Sequence, residues 1–125
     1  MEAEPPRVLI GNVRPIMRLG LVAVLTEAGM DVIGQEQRPH RIVSEAGRLS
    51  PDAVVLDRDD ELSPTLCERV LKAAPRTKVV FWARDETFIE VLDPETGTSR
   101  VVDPSTLEDL RNELAGSGSE NLVEE

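Results

Sequence analysis

Four carboxylates fall within five residues at Asp57-Arg58-Asp59-Asp60-Glu61, directly after the apolar run Ala53-Val54-Val55-Leu56. Carboxylates gathered in this way offer hard oxygen ligands to a divalent cation, and a strand-terminal aspartate can act as a nucleophile or an acceptor. The run lacks the glycine and the spaced acceptors of a calcium loop, and Arg58 offsets part of its charge. It therefore reads as a solvated acidic turn, with Asp57 hydrogen-bonded to loop amides at the end of a buried strand. No metal site is assigned to it. Histidine and cysteine each occur once, as His40 and Cys67. His40 follows Pro39 at a helix start and reads as an exposed helix-terminal side chain. Cys67, with no second thiol and no evident cationic neighbour, reads as a small helix residue. Gly11 stands alone, so no glycine-rich phosphate loop is present. With no nucleophile–base pair in view, neither enzymatic turnover nor a cofactor is expected.

The elements that position these residues alternate between strand and helix. "RVLIG" (7–11), "MDVIG" (30–34), "PDAVVLD" (51–57) and "TKVVFWA" (77–83) are short apolar runs with the character of strands. Between them, Ile16, Leu19, Leu21, Val22 and Leu25 follow helical spacing from Pro15, and Gly29 ends that helix. A second helix spans 39–49 and a third 63–74, the latter with Ser63 expected as its hydroxyl cap and Pro64 in its first turn. Phe81 and Trp82 should point to opposite faces of the fourth strand. The rhythm breaks at "TFIEVLDPETGTSRVVD" (87–103), where two β-rich runs flank a Pro/Gly turn. A hairpin, or one strand with an extended arm, is expected there in place of a helix. Leu107, Leu110 and Leu114 mark a last helix over 103–116 that ends at Gly116. The expected organisation is a flexible start at 1–6, one domain over 7–116 and a disordered acidic tail over 117–125.

Strands that alternate with helices imply a parallel sheet covered on both faces, with the functional crevice beyond the carboxyl ends of the strands. Gly11-Asn12, Asp57 and Ala83 close three strands and should meet there. A chain of 125 residues with 40% hydrophobic content supports one modest core. It has no apolar stretch long enough to span a membrane. A single cysteine fits a reducing, cytoplasmic setting. The net charge of −10 argues against direct nucleic-acid binding and points to a protein partner instead.

"VLIGNVRPIMRLGL", "DVIGQ" and "SPDAVVLD", in that order and spacing, resemble a response-regulator receiver domain. The resemblance implies a doubly wound parallel five-stranded sheet of the flavodoxin type, in the order 2-1-3-4-5. It also implies that Asp57 occupies the phosphate-accepting position. The two acidic positions that would hold Mg²⁺ correspond to Asn12 and Val13, and valine offers no ligand. The switch hydroxyl corresponds to Ala83, and the lysine at the end of the fifth strand to Asp103 or Val102. An aspartate there would repel a phosphoryl dianion.

The chain accordingly reads as an atypical, stand-alone receiver, a pseudo-receiver acting as a phosphorylation-independent signalling or interaction module. With no length left for an output domain, output is expected through a protein partner or self-association over residues 87–115, a homodimer among the options. Phe88, Ile89 and Val91 are expected to be partly exposed on that face and to form the contact. The alternatives are a small-molecule sensor using the crevice near Asn12, Asp57 and Ala83, and a residual phospho-relay through Asp57.

Overall fold

The computed structural model describes residues 5–82 and 89–102. They form β1 (Arg7–Ile10), α1 (Pro15–Glu27), β2 (Asp31–Gln35), α2 (Pro39–Leu49), β3 (Ala53–Asp57), α3 (Ser63–Ala73), β4 (Lys78–Trp82), β5 (Ile89–Asp93) and β6 (Thr98–Val102). Each helix has a proline at its first or second position. There the fixed φ suits the helix and the missing N–H costs nothing. None of the three begins with a side-chain cap. The hydroxyl expected to cap α3, that of Ser63, instead donates to the main-chain carbonyl of Asp57, joining the start of α3 to the end of β3.

All six strands share one sheet in the order β2-β1-β3-β4-β5-β6. The first four pair in parallel, as the alternating pattern implies, whereas β5 runs antiparallel to β4 and β6 antiparallel to β5. The expected five-stranded, all-parallel sheet is therefore a six-stranded mixed one. The cause is local. A parallel return from β4 needs a crossover, usually a helix, and the chain from Trp82 to Ile89 is too short to supply one. The expected hairpin is present, with Gly97 at φ 72° in its turn and its N–H donating to the Asp93 carbonyl at 2.9 Å.

Strand alternation divides the core between the two faces. On one side Val8, Ile10, Val55, Val80, Ile89 and Val91 meet Leu21 and Leu25 of α1. On the other, Leu9, Val54, Leu56 and Val79 meet Ile42 and Ala46 of α2 and Leu66 and Val70 of α3. This corrects the expectation for the hairpin. Ile89 and Val91 are 2% and 1% exposed, because the register that sets Val91 opposite Val80 turns both toward the α1 side. Phe88, the last helix and the terminal tail lie outside the described residues. No helix among the described residues is long and apolar enough to cross a membrane.

Candidate functional site

All five residues of β3 are buried, and the strand delivers Asp57 to the carboxyl edge of the sheet. β1 reaches the same edge one strand away. Gly11 donates its N–H to the Val55 carbonyl at 2.8 Å, and a Cβ at Gly11 would stand 2.9 Å from that oxygen. Only glycine lets the two strand ends approach this closely. The residue that follows, Asn12, is thereby placed beside Asp57.

Asn12 is 8% exposed and uses both ends of its amide. Its Oδ1 accepts the Asp57 N–H at 3.1 Å, while its Nδ2 donates to Asp60 Oδ2 at 2.9 Å and to Ser63 Oγ at 3.1 Å. The amide therefore ties the β1 loop to the end of β3, to the acidic turn and to the start of α3. Val13 turns away from the crevice into the α1-side core, 1% exposed.

The Asp57 carboxylate is nearly buried, with one interaction at each oxygen. Its Oδ1 accepts the Asp59 N–H at 2.8 Å, and its Oδ2 lies 3.8 Å from Nε of Arg14, the residue preceding α1. Asp60 is spent on structure as well, with Oδ1 accepting the Leu62 N–H at 2.9 Å. Arg58 leans the other way, 3.8 Å from Glu90 on β5. The acidic turn is thus hydrogen-bonded within itself, and among the described residues no group of three or more His, Cys, Asp or Glu side chains is arranged to hold a metal ion. What remains is an open, polar crevice of about 480 Å³ lined by Asn12, Arg14, Gln37, Asp57, Asp59, Asp60, Glu61 and Leu62.

Asn12 and Asp57 therefore meet, as expected. Val13 adjoins them in sequence but not in chemistry. Ala83 and Asp103 lie outside the described residues, and Val102, at the end of β6, is separated from β4 by β5. The sequence sets Asp60 in the acidic turn and Ser63 at a helix start without showing that either bonds Asn12, and it does not single out Arg14, which stands beside Asp57. Arg14 carried a signal, as the one cation in the loop after β1. Ser63 did not, since a hydroxyl before Pro64 reads equally well as a helix cap. Trp82 is the register partner of Asp57 on the neighbouring strand, half-buried against the α1-side core. His40 is exposed on α2, away from the crevice. Cys67 is buried on α3, and burial, followed by the charges of Glu68 and Glu90, pushes its thiol pKa up to about 11.

No family model and no curated protein matches the sequence. Among solved structures, the fold is similar to the signal receiver domain of the Mycobacterium tuberculosis response regulator NarL. The two share 16% identity at a TM-score of 0.51, over 90% of this chain and 98% of that one. At this identity the likeness is one of fold.

Proposed function

We propose that this chain is a receiver-like signalling module that acts by binding a protein partner, independently of phosphorylation. One observation carries the reading: the amide of Asn12 fills, with three hydrogen bonds, the position from which a receiver would present a carboxylate to Mg²⁺. Phosphoryl transfer needs charge neutralisation around the acceptor as negative charge accumulates. Among the described residues only Arg14 stands within ion-pair reach of Asp57, and at 3.8 Å it balances the charge already there. Asp57 is then a structural residue of the β3 end rather than a relay. With a net charge of −10, a protein surface is a better electrostatic complement than nucleic acid. The hairpin supplies the altered face for it. There the outer edge of β6 and Val101, 65% exposed, replace the inward-facing Ile89 and Val91.

The test is treatment with acetyl phosphate and Mg²⁺, followed by intact mass and by emission from Trp82, the only tryptophan and the register partner of Asp57. No phosphoryl adduct and no spectral change are expected. A stoichiometric adduct that Asp57→Ala abolishes would overturn the reading and restore the relay.

A further inference from the structure

Helix α1 is apolar around most of its circumference, with Arg18, Thr26 and Glu27 its only polar side chains. Leu21 and Leu25 are buried, Met17 and Val22 pack partly against the core, and Ile16 and Leu19 remain 77% and 78% exposed. Apolar surface of that extent on a helix is ordinarily covered. Ile16, Leu19, Gly20, Ala23 and Glu27 are spaced so that they share one face, and all five are exposed. Among the described residues the other large exposed apolar side chains, Leu62 and Val101, lie on separate elements, and isolated residues of that kind need no cover.

We propose that a second copy of this chain covers the stripe, with the two α1 helices antiparallel about a twofold axis level with Leu21. Shape favours this occupant. About that axis Leu19 of each copy lies over Ala23 of the other, so a large residue meets a small one twice. Gly20, around whose added Cβ nothing would lie within 4 Å, leaves room for the helix backbones to approach. Symmetry then satisfies both copies with one patch.

Charge favours it too. Glu27 sits in the last turn of its own helix, where the dipole opposes an anion and no basic residue compensates. The first turn has no acidic residue, and Arg14 precedes it with a side chain 57% exposed. Antiparallel docking carries Glu27 of each copy to that positive end of the other. The contact is a single helix pair, smaller than a standard stable interface, so association is expected at roughly 10–100 μM.

Sedimentation equilibrium of the full chain from about 10 μM to 1 mM brackets that range and tests the proposal. The wild type is expected to form dimers. Leu19→Glu and Glu27→Arg are each expected to weaken association by about tenfold or more with an unchanged thermal midpoint, because both positions are exposed in one copy. If Leu19→Glu fails to fold, Glu27→Arg decides alone. A wild type that stays monomeric throughout would overturn the proposal, and a simultaneous fall in the midpoint of Leu19→Glu would identify the chain's own remaining residues as the cover. A dimer that neither variant weakens would also overturn it and place self-association on another face, the β6 edge included.

Discussion

At the scale of single residues, Asn12 shows how one amide can replace a reactive site with a structural one. Replacing it by alanine leaves the buried Asp57 N–H and the Ser63 hydroxyl short of a partner. Asn12→Ala should therefore cost about 2 kcal/mol, measured by urea denaturation. Asn12→Asp should cost at least as much near neutral pH. It turns the Nδ2 donor into an acceptor facing Asp60 and sets a third carboxylate beside Asp57. A variant as stable as the wild type in the presence of a chelator would contradict this account of the crevice. Cys67 gives a second test. With its thiol pKa raised from 9.0 to about 11, thiolate at pH 8 is about a hundredfold scarcer than in the unfolded chain. Labelling by a disulfide reagent should be slower than in urea by at least about that factor. The sign also fixes a trend in stability. A raised folded pKa contributes stability that is complete below pH 9.0 and lost as pH climbs toward 11, so the unfolding free energy should fall across that window. Asn12 could be located in the sequence by its place after β1. Its bonds could not, because Asp60 and Ser63 join it only through the turn that follows β3.

At the scale of elements, the hairpin separates what pattern can reveal from what it cannot. Asp93-Pro94-Glu95-Thr96-Gly97 announces a turn whatever surrounds it, since proline and glycine act on their own backbone. Which side of β5 faces inward depends on its neighbour, and alternating residues look alike until β4 is known to lie beside them. Two substitutions separate the faces. Ile89→Lys puts a charge into the α1-side core and should cost more than about 3 kcal/mol, whereas Val101→Lys should stay within about 0.5 kcal/mol. Equal losses in denaturant would show that the facing is wrong. Gly97→Ala isolates the turn. A Cβ there meets nothing within 4 Å, so a loss of about 1 kcal/mol would come from the positive φ alone. The helices were easier to place, since each carries a proline at its start and an apolar face along its length. Their lack of side-chain caps was not visible, because Ser63 has the right type in the right place for another purpose.

For the whole molecule, alternation of strand and helix made the parallel half legible, and the short chain after Trp82 is what kept the sheet from continuing in that manner. The excess of acid is a property of the whole sequence, twenty-four carboxylates against fourteen basic residues, and the described residues hold little of it, thirteen against twelve. If the remaining acidic residues are held against the folded domain, their mutual repulsion is screened by salt, and adding salt should raise the thermal midpoint until screening is complete. A midpoint that falls with salt would show that specific ion pairs outweigh the general repulsion. The sheet order has a further consequence, for the way the protein comes apart. Among the described strands β1 and β3 each have a neighbour on both sides, whereas β2 has only β1 and β6 only β5, and β5 reaches the rest of the sheet only through β4. Thermal fluctuations should therefore unzip the molecule from the hairpin margin, β6 first and β5 next, while the centre stays closed. Amide hydrogen exchange would record this as a graded series of protection rising from Ser99 toward Val54. The edge that distinguishes this protein is then also its most easily opened part, and a partner that extends the sheet there would seal the seam.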